Sequence, residues 1–138
     1  MRLQTTPIGS AAVQTLLKAL CTITDAVGDA IRISGNKIGD RYQVTRVDID
    51  ALPTLPAIGI IIQKTSDTEC LIQVAGIVSG VYTGLTPHQT LFIGTDGRLT
   101  HTVTPHPGTG QRAHQIMGVA LATTELLLDV KSPIILTT

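Results

Sequence analysis

Turn signals divide this sequence into short segments, and this regular punctuation constrains the fold more than any other feature. The pair Asp96-Gly97 lies between two short apolar runs, and its glycine accepts the positive φ angle that a tight hairpin turn requires. Similar breaks recur at roughly 8–12-residue spacing, and β-branched residues are frequent between them. The pattern predicts an all-β protein, either a small β-barrel or a β-sandwich.

Two of the predicted hairpins resemble each other, one over residues 58–74 and one over residues 116–130. Each has a glycine just inside its first strand, Gly59 or Gly118. Glycine at such a position marks a bulge or a place where another backbone approaches closely. We therefore expect both hairpins to belong to one barrel or sandwich domain over residues 23–138.

Residues 1–22 differ in character from the remainder of the chain, and we assign them to an N-terminal arm. Ser10 is suited to cap a short helix over residues 11–20, where apolar side chains recur at helical spacing. A helix this short is marginal without packing, so an extended arm lying across a neighbour is the alternative, and the sequence does not choose between them. In either form, we expect partner contacts through Leu3, Ile8, Leu16, Leu17 and Leu20.

The surface of the protein carries few charges. Charged residues make up 14% of the chain, whereas ordinary soluble domains contain about 25%. A compact monomer of this size exposes on the order of 6,900 Å², which leaves about one charged side chain per 350 Å². Such a surface is weakly protected against association, so we expect partners to cover much of it.

Composition also excludes several classes of partner. The net charge is zero and there is no basic run, so nucleic-acid binding through the phosphate backbone is not expected. No apolar run approaches the roughly eighteen residues of a membrane helix, and polar residues interrupt any signal-peptide core.

Cys21 and Cys70 match no metal or redox spacing. We interpret them as small buried hydrophobes of a protein made in a reducing cytosol, although the sequence does not exclude a bridge between them.

Four motifs resemble catalytic or ligand-binding sites, but the sequence around them does not fit those sites. Ser79 lies between glycine-broken strands and lacks the helix of a nucleophile elbow. Residues 108–113 fit the G-x-G-x-x-A pattern, but a proline-rich segment precedes them and a strand comes after them. The histidines lack metal-ligand spacing, and we interpret Asp48 and Asp50 as solvated carboxylates rather than calcium ligands. We therefore expect no enzymatic activity, no metal and no cofactor.

The remaining pattern is a set of turns and strand starts, namely residues 27–34, 55–61, 84–87, 91–97 and 116–120. These segments resemble small structural proteins of tailed-bacteriophage virions, most of all capsid decoration, or cement, proteins. The resemblance covers residues 21–136. It implies a β-barrel or sandwich head, commonly trimeric, that binds the outer face of the major capsid protein. The expected protein is thus a non-enzymatic homotrimer on the capsid exterior of the virion, made in the host bacterial cytoplasm.

Similar segments also occur in domains of larger phage fibre or baseplate proteins. The alternative interpretation is therefore a tail-fibre or baseplate β module that binds a receptor or another tail protein. The Gly-, Pro- and His-rich residues 101–112 favour this alternative because they predict a long exposed loop. Aromatic residues make up only 2% of the chain, which counts against a glycan site because sugars usually stack on aromatic rings.

Overall fold

A computed structural model of the protein describes residues 15–49, 56–94, 97–102 and 111–137. The regular elements in these ranges are all β-strands, so the all-β prediction is confirmed. The strands are β1 (Thr15–Leu20), β2 (Ala30–Ile33), β3 (Tyr42–Arg46), β4 (Gly59–Lys64), β5 (Glu69–Ser79), β6 (Thr90–Ile93), β7 (Leu99–Thr100), β8 (Gln111–His114), β9 (Ile116–Ala122), β10 (Glu125–Asp129) and β11 (Ile134–Thr137).

Five of the strands close into a barrel. Their hydrogen-bonded order is β1-β3-β2-β4-β5, and β5 pairs back to β1. Neighbouring strands are antiparallel except for β1 and β3, which run parallel. Closure removes the free sheet edges that an open five-stranded sheet would present to other chains.

The position of β1 corrects the prediction for the N-terminal segment. Residues 15–20 pair with β5 on one side and with β3 on the other, so the helix predicted over residues 11–20 is wrong for them. Barrel closure supplies backbone partners on both sides of this stretch, whereas a ten-residue helix would be marginal. Residues 15–20 therefore belong to the barrel, and Cys21 of the predicted arm packs in the barrel interior. Residues 1–14 of the predicted arm lie outside the described residues.

The sheet continues beyond the barrel because β5 is eleven residues long and serves two layers. Its first half pairs with β1 and β4, and its second half pairs with β10. Gly76, between the halves, has a φ of 95°, a backbone conformation that glycine adopts without steric cost. The sheet then proceeds through β10, β9, β6 and β7. We call these four strands, together with residues 75–79, the extension; β8 and β11 form a separate pair.

Two apolar cores result from this arrangement. The barrel interior contains the buried side chains of Ala19, Cys21, Ile31, Val44, Ile61, Cys70 and Ile72. A larger core lies between the outer wall of the barrel and the extension, and it contains Ala30, Val47, Ile49, Ala57, Ile60, Val78, Leu85, Leu91, Ile93, Met117, Ala120, Leu126 and Leu128. Successive side chains of a strand point to opposite faces, so Ile60 and Ile61 of β4 serve different cores.

Two buried glutamines hold these layers in place. The side-chain Nε2 of Gln115 donates to the carbonyls of Ala57 at 3.0 Å and Lys131 at 2.8 Å, and its Oε1 accepts from the N–H of Ala57 at 2.9 Å. Gln73 donates to two carbonyls of its own strand at the point where β5 leaves the barrel, both at 3.0 Å. Buried polar groups need such partners, so the first glutamine ties the extension to the chain before β4 and the second stabilises the bend of β5.

Candidate functional site

The structure keeps apart the residues that suggested chemistry in the sequence. Ser79 lies exposed at the end of β5, with its hydroxyl 3.3 Å from a carboxylate oxygen of Glu125. Gln111–His114 form strand β8 rather than the start of a nucleotide-binding helix. Asp48 is exposed, and Asp50 lies outside the described residues. Within the described ranges, no group of three or more His, Cys, Asp or Glu side chains is arranged to hold a metal ion.

The two cysteines are buried free thiols, as the sequence predicts. Burial, followed by the neighbouring Cys21 thiol, raises the pKa of Cys70 to about 12. A thiol reacts as its thiolate, so Cys70 is unreactive at neutral pH. These side chains therefore act as packing groups of the barrel core.

The five predicted partner-contact residues differ in their positions and in their exposure to solvent. Leu3 and Ile8 lie outside the described residues. Leu17 packs against the barrel core, Leu20 is half-buried, and Leu16 is 39% exposed. The apolar positions look like one stripe at helical spacing, but alternation along a strand sends Leu16 and Leu17 to opposite faces. A partner contact at these positions stays a prediction, and Leu16 is the most accessible of the three on β1.

The outer side of the extension carries an apolar surface that was not predicted from the sequence. Val119 and Leu121 of β9 and Leu127 of β10 are 37%, 44% and 41% exposed. Val119 and Leu127 are direct cross-strand partners, and Ile77 of β5 pairs with Leu127 on its other side. The surface is thus continuous across three strands. We call Ile77, Val119, Leu121 and Leu127 the outer apolar face.

The signal for this face was nevertheless present in the sequence. Residues 126–128 are three consecutive leucines, and an unbroken apolar run is typical of a strand that is apolar on both faces. At the ends of the same strand, Glu125 and Asp129 share the side of Leu127. Asp129 makes an exposed ion pair of 2.8 Å with Lys131. An apolar centre with charges at its rim is the usual composition of a protein interface.

A small cavity of about 250 Å³ opens where the barrel meets the extension. Its walls include Gly28 and Asp29 before β2, Tyr82 after β5, and Arg98 directly before β7. Gly28 has a φ of 95°, and a Cβ atom there would lie 3.4 Å from the ring of Tyr82. The hydroxyl of Tyr82 donates to the Gly28 carbonyl at 2.7 Å. Segments that are distant in sequence therefore meet at this cavity, which is why the sequence alone did not reveal it.

The cavity combines a buried acid with a protonated phenol. Asp29 is only 3% exposed, and this burial raises the pKa of its carboxyl group, although an N–H bond from Ala26 and the charges of Arg46 and Arg98 oppose the shift. Burial, and then the charge of Asp29, raises the pKa of Tyr82 well above the ordinary value of a phenol. Tyr82 thus remains a hydrogen-bond donor at physiological pH. Arg98 is exposed at the rim of the cavity.

His101 differs from the exposed loop histidine that the sequence indicated. The ring is half-buried, and its Nε2 accepts from the N–H of Thr86 at 2.9 Å while Nδ1 lies 3.0 Å from the carbonyl of Thr90. Since Nε2 faces a donor and Nδ1 faces an acceptor, the ring carries its proton on Nδ1. The histidine thereby ties the turn before β6 to the start of that strand. His106 and the rest of residues 103–110 lie outside the described residues.

Across the described residues there is no helix with the length and apolar character needed to cross a bilayer. Comparison with known proteins yields no matching family model, curated protein or solved structure.

Proposed function

We propose that this chain is a non-enzymatic structural protein of a tailed-bacteriophage virion, a capsid decoration protein that binds the outer face of the major capsid protein and stabilises the shell. The observation that carries the proposal is the outer apolar face, on which Val119, Leu121 and Leu127 are 37–44% exposed. The chain is also poor in charge, at 14% of residues. The resemblance of its turns and strand starts to capsid decoration proteins supplies the class of partner.

The physical basis of the proposed binding is desolvation of the outer apolar face. Each Å² of apolar surface removed from water contributes about 25 cal/mol, so a patch of this kind favours association without any catalytic group. Glu125 and Asp129 at its ends provide a polar rim that fixes orientation. In this proposal, the protein is a homotrimer on the capsid exterior, and symmetry multiplies modest single contacts into strong avidity.

The test is co-sedimentation of the purified protein with capsids that lack it. The wild type should sediment with the particles and run as a trimer by light scattering, and shells without it should break at a lower temperature. Leu127→Glu should weaken attachment by about tenfold or more, because a buried unpaired charge at an interface is costly. Thr124→Glu, in the exposed turn between β9 and β10, is the control for added charge and should leave attachment unchanged.

A monomer that never associates with particles would contradict the proposal, and so would normal attachment of Leu127→Glu. Immunogold labelling of whole virions gives a separate answer, since label on the capsid supports the decoration protein and label on the tail supports the fibre or baseplate module.

A further inference from the structure

Asp29 leaves one carboxylate oxygen without a protein partner at the cavity. Its Oδ2 accepts the N–H of Ala26 at 2.9 Å, and no donor in the described ranges reaches Oδ1. Among the described residues, Arg32 Nε is the one side-chain N or O atom that is buried from solvent and has no hydrogen-bond partner. Oδ1 of Asp29 also has no partner but does not belong to this class, so it must contact solvent. The cavity that Asp29 lines supplies that contact.

The remaining walls suit an aliphatic stem that ends in a cation. Val81 and Leu99 are apolar, and an aromatic ring such as that of Tyr82 attracts cations through its π-electrons. The Tyr82 hydroxyl already donates to Gly28, so it offers no donor to an anion. The volume of about 250 Å³ is below the range of about 300–1,000 Å³ typical of drug-sized ligands, so the cavity matches one side chain or a small amine.

We propose that this cavity binds one ammonium or guanidinium group carried on an aliphatic stem, as in a lysine or arginine side chain of a protein partner or in a small amine. The cation donates to Oδ1 of Asp29, the stem packs on Val81 and Leu99, and the ring of Tyr82 forms a wall. This inference stands independently of the proposed attachment to capsids, because it uses a different surface of the protein.

The charges around Asp29 decide which ion the cavity prefers. Arg46 and Arg98 act on Asp29 through space, yet neither forms an ion pair with it within 4.0 Å among the described contacts. Arg98 lies at the exposed rim of the cavity, and its positive charge repels an entering cation. Within the described contacts, it does not itself form an ion pair with the Asp29 carboxylate. Removing the guanidinium of Arg98 should therefore strengthen cation binding, whereas an anion site built on Arg98 would lose its ligand. The two possibilities predict opposite results for the same substitution.

The first experiment is an NMR titration that monitors the backbone amides of Gly28, Tyr82 and Leu99. The probes are Nα-acetyl-lysine methylamide and Nα-acetyl-arginine methylamide as protein side-chain mimics, and n-butylamine as a free amine. Nα-acetyl-norleucine methylamide has the same stem without the charge, so it should bind more weakly by about tenfold or more. Equal binding of the norleucine probe would overturn the proposal.

Substitutions then identify the group that binds. Asp29→Asn keeps an oxygen for the Ala26 N–H and removes the charge, so cation affinity should fall by about tenfold or more. Asp67→Asn removes a charge in the exposed turn between β4 and β5, and it should bind like the wild type. Arg98→Gln should bind at least as tightly as the wild type. Normal binding by Asp29→Asn, or loss of binding by Arg98→Gln, would overturn the assignment, and Arg98→Gln decides if Asp29→Asn fails to fold.

The probes also separate the two sources of the cation. If the blocked amino acids bind at least as tightly as n-butylamine, the cavity accepts a side chain of a protein partner. If n-butylamine binds and the blocked amino acids do not, the cavity takes a free amine. Either result supports a cation site, whereas no saturable shift with any of the charged probes contradicts it.

Discussion

The hairpins β4–β5 and β9–β10 are built in the same way. In each, a glycine of the first strand lies directly against a backbone carbonyl of the second strand, Gly59 against Gln73 and Gly118 against Leu127. A Cβ atom at either glycine would overlap that carbonyl. The sequence left two interpretations of these glycines open, a bulge or a close backbone approach, and the structure shows the close approach at both.

The hairpins differ in what covers them. Ile60 and Ile61 of β4 are both fully buried, because one faces the barrel interior and the other faces the extension. In β10, Leu126 is fully buried but Leu127 is 41% exposed. The second hairpin covers the first, and no described part of the chain covers the second. Similar apolar strands are therefore buried or exposed depending on whether another layer of the structure covers them.

The largest expected effect comes from a matched pair of substitutions in β10. Leu126→Ala should reduce the free energy of unfolding by about 2–5 kcal/mol, because it removes a fully buried side chain and leaves a cavity. Leu127→Ala should cost less than about 1 kcal/mol, because its side chain is already partly in water. Urea unfolding measures both values. Similar losses for the two variants would show that Leu127 is buried in the folded protein and would remove the distinction between the hairpins.

The strands could be predicted from the sequence because their signals are local. Turn residues, alternation and the glycines Gly59 and Gly118 predicted both hairpins, although the first was predicted to end at residue 74 and β5 continues to Ser79. The position of β1 could not be predicted, because Leu16, Leu17 and Leu20 fit a helical spacing about as well as a strand. What decides between them is pairing with partners such as Ala75, sixty residues away in sequence. The local spacing of apolar residues does not indicate such a long-range contact.

The candidate sites were hidden for related reasons. The cavity needs Asp29, Tyr82 and Arg98 together, and these lie in three separate segments that only the folded chain brings together. The outer apolar face could have been suspected from the run of residues 126–128, but the sequence does not state which of its two faces a second layer will cover. Burial, unlike strand formation, is a property of the assembled layers.

A second substitution weakens the link that holds the extension over the barrel. Gln115→Met keeps the volume of the side chain and removes three hydrogen bonds, one of which satisfies the buried N–H of Ala57. The expected loss of stability is about 2–4 kcal/mol, since an unsatisfied buried group costs about 1–3 kcal/mol. Gln73→Met should cost less, because it removes hydrogen bonds only to carbonyls, and carbonyls tolerate the loss of one partner better than N–H groups do.

Thermal and urea unfolding compare these two glutamine variants. Amide exchange locates the damage, which for Gln115→Met should include faster exchange at Ile60 of the covered hairpin. A greater loss for Gln73→Met than for Gln115→Met would show that the bend of β5, rather than the link between layers, limits stability.

A smaller effect is expected at the edge of the extension. His101→Ala leaves the N–H of Thr86 without its partner, so stability should fall by about 1 kcal/mol and exchange of that amide should become faster. His88→Asn is the control, because His88 is exposed, its φ is 75°, and asparagine tolerates this conformation. Unchanged exchange at Thr86 in His101→Ala would show that the histidine does not hold this turn.

The smallest effect should come from the titration of Asp29, where the two layers meet. Burial raises the pKa of Asp29 above the 3.8 of an ordinary aspartate, while the Ala26 N–H and the charges of Arg46 and Arg98 offset part of that shift. The folded protein therefore keeps this proton to a higher pH than the unfolded chain does. As a result, the wild type loses stability relative to Asp29→Asn as the pH rises from below the ordinary pKa through the raised one.

Urea unfolding of wild type and Asp29→Asn at several pH values measures this difference, and Asp67→Asn should not show it. A difference that stays constant with pH, or that grows in the opposite direction, would contradict the burial of an ionisable group at Asp29. The titration also connects to the proposed cation site. An ammonium ligand binds the ionised carboxylate, so it should stabilise the wild type more above the raised pKa than below it, because a ligand stabilises the state to which it binds.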